Sequence, residues 1–261
     1  MQLTTLLYEK SAQVAVLTLN RPERVNALDR TMLKEIQLVL DAVEADEQVR
    51  ALVVTGAGNA FSSGFDLKEQ MAAAPSGTAE WRKVLGDDFD AVTRFWSLAK
   101  PTIAAVRGPC LAGACELALA CDITIASENA VFGEPELKFG AGIVVMMLPW
   151  ITGPKQAKEI ILNGIDNIGA REALRLGLIN RVVAHDALMS TVREMATEIA
   201  THCSPRSIRI MKRQLYADQF NDLAASMAEA DREMVASFST ADFREGVASF
   251  VERRPPRFPG K

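Results

Sequence analysis

The sequence contains few histidines and cysteines. Its 261 residues include two histidines and four cysteines, and their positions do not follow the spacing of a metal site. Cys110, Cys115 and Cys121 lie together in a segment of small residues, where we expect buried and reduced thiols. These observations argue against a metal centre, and they predict a soluble protein of a reducing compartment, the cytoplasm.

A strong charge imbalance and long apolar runs are also lacking. The formal net charge is −4, and lysine and arginine are spread along the chain, so we expect no broad affinity for nucleic acid or for an anionic membrane. No apolar run approaches the ~20 residues of a membrane span. The opening MQLTTLLYEKSAQ has neither the basic nor the apolar region of a signal peptide, so we expect none.

Apolar residues, in contrast, are abundant enough for a large core. They make up 49% of the chain, which suits one large α/β or α+β domain. Short β-rich runs recur, and helical patterns separate several of them. The β-rich runs are 14–19, 51–56, 102–108 and 122–127, and the helical patterns cover 29–45 and 80–97. This alternation predicts an α/β fold in which helices cover a mixed or parallel sheet.

The helical patterns carry apolar stripes, and the chain becomes helical throughout after about residue 185. Asp29 is placed to cap the helix over 29–45. The stripe expected for 80–97 consists of Trp81, Val84, Leu85, Phe89, Val92 and Trp96. We therefore predict a strand-rich core over 1–185 and a helical region over 186–261. For the later apolar side chains we expect core packing or a subunit contact; they are Met211, Leu215, Met227, Met234 and Phe238.

Two turns between strands and helices are candidates for a site. ALVVTG runs into AGNAFSSGFDLKE, where Gly64-Phe65 is a turn and Asp66 begins a helical pattern. TIAAVRG runs into PCLAGACELALA, where Gly113 stands at a helix start. The first N–H groups of a helix have no partner within it, and glycine lets a ligand approach the backbone. Two such N–H groups that converge on one oxygen would form an oxyanion hole.

Two acids accompany these turns. Glu116 lies about one helical turn after Gly113, and Glu136 follows the next strand. Near a polarised carbonyl, two carboxyl groups could share a water and pass protons to and from carbon. The residues alone leave other interpretations open. In the alternative interpretation, Glu116 is a first-turn acid stabilised by the helix dipole, and Glu136 is a charge on a surface loop.

Five ordered segments are similar to those of a known family. They are NRPERVNALD, AFSSGFDLKE, AAVRGPCLAGACELALACDITIASENAVFGEPELKFG, GAREALRLGLINRVV and DFREGVASFVERRPPRFPGK. Together they resemble the crotonase superfamily, the enoyl-CoA hydratase/isomerase proteins, from about residue 14 to 261. The resemblance implies a spiral of ββα units as the catalytic core. It also implies that the helical C-terminal region builds trimers, or hexamers as pairs of trimers.

The resemblance also implies a role for each site residue. The backbone N–H groups of Phe65 and Gly113 match the family's oxyanion hole. Glu116 then is the base that activates water, and Glu136 donates a proton to the carbon beside the thioester carbonyl. Retention of both acids favours hydration of an enoyl-CoA, a reaction of fatty acid metabolism that needs no metal or redox cofactor. The positions implied to bind coenzyme A are Arg24, Val25, Ala27, Ser63, Gly64, Asp66, Leu67 and Lys68.

Three features depart from the family's pattern. Residues 138–150 read KFGAGIVVMMLPW in place of a glycine-rich loop, which leaves the acyl group open. Phe65 replaces a smaller side chain, and we expect its ring to narrow the pocket. Glu134 adds a third acid beside Glu136, for which we expect a salt bridge within the loop.

Other functions stay open at this point. The same fold supports double-bond isomerisation, thioester hydrolysis and hydration coupled to carbon–carbon cleavage. A non-catalytic, RNA-binding or assembly role is a further alternative, against which the net charge and the two acids argue. A thiol nucleophile at Cys115 is disfavoured, because both histidines lie far along the chain from it.

Overall fold

Short strands alternate with helices along residues 1–261, all of which the computed structural model describes. The strands are Leu6–Ser11 (β1), Val14–Leu19 (β2), Ala51–Gly56 (β3), Thr102–Val106 (β4), Pro109–Leu111 (β5), Ile123–Ser127 (β6), Val131–Gly133 (β7), Ile168–Gly169 (β8) and Arg181–Val183 (β9). The helices are Arg30–Ala45 (α1), Leu67–Ala73 (α2), Gly77–Ser97 (α3), Gly113–Ala120 (α4), Leu148–Thr152 (α5), Pro154–Leu162 (α6), Ala170–Arg175 (α7), Leu188–His202 (α8), Pro205–Ala217 (α9), Leu223–Ser237 (α10) and Ala241–Glu252 (α11). Short 3₁₀ helices cover Pro22–Arg24, Glu136–Phe139 and His185–Ala187.

The strands form two sheets. The larger sheet has the order β1-β2-β3-β4-β6-β9; β1 is antiparallel to β2, and the other neighbours are parallel. The smaller sheet has the order β5-β7-β8. Between β4 and α4 the chain passes from the larger sheet to the smaller one through β5, which gives a ββα unit. The predicted α/β class and the ββα arrangement are confirmed.

Helices cover both faces of the larger sheet, as parallel strands require. Every residue of β3 and β4 is buried. Helices α1, α3 and α4 pack on one face, and α8 packs on the other through Leu188, Val192 and Ala196. The predicted cap is present, since the Met32 backbone N–H donates to Asp29 Oδ1 at 2.8 Å.

Helix α3 differs from the predicted stripe. Val84 and Val92 are buried, but Trp81, Leu85 and Phe89 are between 41% and 46% exposed. These three side chains line a cavity instead of the core. The spacing of the apolar residues therefore predicts the helix correctly, but part of the apolar stripe faces the cavity and not the core.

The C-terminal helices divide into two kinds. Helix α8 follows the predicted boundary at 185/186, yet it belongs to the core around the sheet. Helix α9 is tied to the core by Lys212, whose Nζ lies 2.8 Å from Asp122 Oδ2. Helix α10 buries no side chain. The apolar residues predicted for core or subunit contact are half or more exposed in the single chain; they are Met211, Leu215, Met227, Met234 and Phe238. None of the helices combines the length and the apolar character that crossing a membrane would need.

Candidate active site

The two predicted turns touch one another. Gly64 has φ +91°, a left-handed conformation that favours glycine. A Cβ atom at Gly64 would lie 2.8 Å from both the Leu111 carbonyl oxygen and the Ala112 Cβ, and 3.3 Å from the Gly113 nitrogen. The turn after β3 is thus in direct backbone contact with the start of α4. Only glycine permits this approach.

The backbone N–H groups of Phe65 and Gly113 have no acceptor in the chain, whereas their neighbours do. The Asp66 N–H donates to the Leu28 carbonyl at 3.0 Å, and the Cys115 N–H donates to the Ala112 carbonyl at 2.7 Å. Buried N–H groups without a partner are rare. Two of them on adjoining turns are therefore candidates to bind an oxygen of a ligand.

The Phe65 side chain lies on Gly113. A Cβ atom at Gly113 would be 2.2 Å from Phe65 Cε2, closer than any contact allows. The ring therefore occupies the space that a side chain at position 113 would fill. The Phe65 ring also lines the cavity, and the expected narrowing of the pocket stays a prediction.

Three carboxyl groups meet beside these turns. Glu116 on α4 is 1% exposed, and its Oε1 accepts the Val145 backbone N–H at 2.9 Å. Glu136 begins the 3₁₀ helix after β7 and is half-buried. Glu134 is 1% exposed, and neither of its oxygens has a hydrogen-bond partner. One oxygen from each of the three acids lies within 4.8 Å of the others. The expected salt bridge of Glu134 is wrong, because the side chain points into the interior rather than into the loop.

Burial raises the pKa of all three acids, and the charges of neighbouring acids add to the shift at Glu116 and Glu134. Burial, with the charge of Glu136, raises the pKa of Glu116 to about 8, although the Val145 N–H opposes this shift. Burial also raises the pKa of Glu136. The pKa of Glu134 is well above its ordinary value, because of burial and the charges of Glu136 and Glu116. Ionisation of the cluster is therefore displaced to higher pH, and its members titrate as a coupled group.

A cavity of about 1800 Å³ opens in front of this cluster. Most residues predicted for the site line it; they are Arg24, Val25, Ala27, Ser63, Phe65, Asp66, Leu67, Lys68 and Glu136. Gly64, Gly113 and Glu116 do not line the cavity and lie behind its wall. The expectation that Glu116 faces an open cleft is thus not met in this conformation, since the main chain of the 139–148 segment covers it.

Arg21 is a residue that the sequence analysis missed. Its Nη1 lies 3.1 Å from Asp66 Oδ2 and donates to the Ala27 carbonyl at 2.7 Å. Asp66 also accepts the Glu69 backbone N–H at 3.2 Å and so caps α2. Asp66 therefore holds the Phe65 turn in place. Arg24 and Lys68, in contrast, are exposed at the cavity wall.

Glu134 gives a prediction about stability and pH. Its pKa is higher in the folded protein than in the unfolded chain, so its contribution to the free energy of unfolding is present at low pH and falls as the pH rises above about 4.3. Glutamine at this position cannot ionise. We expect Glu134→Gln to match the wild type at pH 4 and to be about 1–3 kcal/mol more stable at pH 8, measured by urea denaturation. The exposed Glu128→Gln is the control. Equal differences at both pH values would show that folding does not raise the pKa of Glu134.

Unpaired amide donors and acids of raised pKa beside one cavity are typical of one class of protein, the enzymes that polarise a carbonyl and move protons on neighbouring atoms. A family model described as "Enoyl-CoA hydratase/isomerase" matches residues 9–261. The chain belongs to this family, within the crotonase superfamily, and the resemblance stated above is confirmed.

Individual relatives agree with the family match. The short-chain-enoyl-CoA hydratase of Clostridium acetobutylicum is 38% identical and covers 97% of both chains. A solved enoyl-CoA hydratase/isomerase structure from Xanthobacter autotrophicus Py2 is 52% identical, covers 97% of this chain and 98% of its own, and has a TM-score of 0.82. The enoyl-CoA hydratase structure from Bacillus anthracis is 29% identical, covers 99% of this chain and 100% of its own, and has a TM-score of 0.92. The similarity therefore extends over the whole fold, including the C-terminal helices.

Proposed function

We propose that the protein is an enoyl-CoA hydratase that adds water across the 2,3 double bond of an enoyl-CoA thioester. One observation carries the proposal: the backbone N–H groups of Phe65 and Gly113 are unpaired on adjoining turns, and Glu116 and Glu136 lie close together in or behind the wall of the same cavity. The thioester oxygen would accept both N–H groups, which draws electron density from the conjugated double bond. Relatives named as hydratases support the same reaction.

In the addition of water, each of the two acids carries out one proton transfer. Glu116 takes a proton from water as the water oxygen bonds to the β-carbon. The electron pair of the double bond moves toward the carbonyl, and Glu136 gives its proton to the α-carbon. Since the carboxyl oxygens lie within 4.8 Å of one another, the proton held by Glu116 can then return to Glu136. No redox cofactor takes part, and the absence of a metal requirement stays a prediction.

The pH dependence follows from the role of Glu116. A base must be ionised, and the pKa of Glu116 is about 8 in the free protein. Because kcat/KM reports the free enzyme, it should rise with pH up to about 8. A kcat/KM that falls between pH 6 and pH 8 would assign the acid role to Glu116 instead.

The deciding experiment is hydration of crotonyl-CoA by the purified protein. We expect loss of the conjugated-enoyl absorbance, with formation of the 3-hydroxyacyl thioester. Enoyl thioesters of short, long and aromatic chains extend the assay. Failure on all of them, or a shifted double bond or free coenzyme A as the product, would reject the hydratase in favour of another reaction of the family.

We also propose that coenzyme A binds along the cavity wall. Arg24 and Lys68 are exposed cations on the cavity wall, and cations beside phosphate form charge-assisted hydrogen bonds. Val25, Ala27 and Leu67 would contact the remainder of the nucleotide portion.

We further propose a homotrimer or a hexamer in the cytoplasm. A contact between subunits would cover apolar side chains that are exposed on α9 to α11 and in the turn between α9 and α10; they include Leu215, Phe220, Met227 and Phe250. All four cysteines are free thiols, which agrees with a reducing compartment.

A further inference from the structure

Asp88 is a buried acid that the mechanism does not use. It lies on α3 between Val84 and Val92, and the other buried residues of this helix are apolar. Asp88 is 2% exposed. An acid in such a position normally has a cation or several donors as partners.

The partners of Asp88 within the chain are few. Its side chain accepts one hydrogen bond, from Gln70 Nε2 to Oδ2 at 3.3 Å. Arg30 approaches the neighbouring Asp87 instead, with Nη1 at 3.5 Å from Oδ2. Two acids, Asp87 and Glu69, also act on Asp88 through their charge, and Arg82 lines the same cavity without forming an ion pair with Asp88. The carboxyl group therefore retains unused capacity to accept hydrogen bonds.

Ionisation of Asp88 occurs near neutral pH. Burial, together with the charges of Asp87 and Glu69, raises its pKa to about 6, and Arg30 opposes the shift. Above that pH the group is mostly an anion, which accepts hydrogen bonds more strongly than a neutral acid.

The position of Asp88 places this acceptor along the path of the acyl chain. Asp88 lines the same cavity as Phe65 and Glu136. Its charge also contributes to the raised pKa of Glu116, so the two groups are neighbours. The surrounding wall is apolar, with Leu85 and Phe89 from α3 and with Ile143 and Val144 from the 139–148 segment. One polar group in an apolar wall is how a ligand site fixes specificity.

We propose that Asp88 selects enoyl-CoA substrates whose acyl chain carries a hydrogen-bond donor, a hydroxyl or an ammonium group, beyond the β-carbon. This inference rests on the proposed function for the location of the acyl chain. A site with a buried acceptor disfavours an analogue that leaves it unpaired. We expect a preference of about 10–100-fold for the donor-bearing chain over the plain one.

Binding of saturated thioesters tests the inference without turnover. Hexanoyl-CoA is compared by calorimetry with analogues that carry a hydroxyl or an amino group at carbon 4, 5 or 6. We expect at least one donor-bearing analogue to bind the wild type about 10–100-fold more tightly than hexanoyl-CoA. Asp88→Leu should abolish that preference. Asp88→Asn should lose the preference for the amino group and retain part of that for the hydroxyl, which distinguishes the two donors.

Controls separate this inference from the proposed function. Asp87→Asn changes an exposed neighbouring acid and should leave the ratios unchanged, and thermal unfolding checks that each variant is folded. Equal or tighter binding of hexanoyl-CoA than of every analogue would overturn the role of Asp88, whatever the hydration assay shows. An unchanged ratio in Asp88→Leu would do the same. The hydration assay with crotonyl-CoA tests the reaction itself, so the two failures are distinct.

Discussion

Replacement of Glu116 or Glu136 by glutamine is expected to lower kcat for crotonyl-CoA hydration by about 10²–10⁴-fold. Glutamine has nearly the same shape, and its amide oxygen can still accept the Val145 N–H that Glu116 now accepts. The fold should therefore persist while proton transfer is lost. KM should change little, because neither carboxyl group is needed to hold coenzyme A. Steady-state kinetics of both variants provide the measurement.

A matched control is Glu159→Gln, which changes an exposed acid away from the cavity. It should keep wild-type kcat and KM. The double variant Glu116→Gln, Glu136→Gln should lose little more than the stronger single variant, because the two acids act in one cycle. Wild-type kcat in both single variants would refute general acid–base chemistry at this site.

Gly64→Ala is expected to lower kcat by about 10²–10³-fold, the usual effect of losing one oxyanion donor. The added methyl group would lie 2.8 Å from the Leu111 carbonyl oxygen, and backbone cannot move aside as a side chain can. The turn that carries the Phe65 N–H must then separate from Gly113. The left-handed φ adds about 1–2 kcal/mol of strain. Kinetics and urea denaturation measure the two effects separately.

Gly169→Ala provides the control for this variant. A Cβ atom at Gly169 meets nothing within 4 Å, and its φ of −68° suits alanine. Its kcat should equal that of the wild type. If Gly64→Ala also retained full activity, the close contact of the two turns would not be needed for the reaction.

The sequence predicts the positions of strands, turns and acids well, because these depend on local patterns. The runs 14–19 and 51–56 are strands with the predicted bounds, and Gly113 begins a helix as expected. The side of a helix or strand that faces the core is harder to predict from the sequence. The spacing of the apolar residues in 80–97 predicts the helix α3. Only the folded chain shows that Phe89 is exposed to the cavity while Asp88 is buried in its wall.

The same limit explains the outcome for Glu134 and Arg21. Both are charged residues in loop-like sequence, for which a solvated position is the usual expectation. Glu134 turns inward because β7 ends beside α4, a contact between segments far apart in the chain. Arg21 is held by Asp66, 45 residues later. Neither contact leaves a periodic signal in the sequence. The assignments of catalytic and coenzyme A-binding residues stay predictions for the experiments above.

The hydrogen bond to Glu116 comes from the main chain of Val145, not from a side chain. Amino acid replacements at Ile143 or Val144, whose side chains line the cavity, can therefore reshape its wall while Glu116 keeps its donor. Under the proposed function, substrate choice can thus change without loss of the hydrogen bond to the acid. Ile143 and Val144 are then the positions at which to redirect the protein toward other acyl chains.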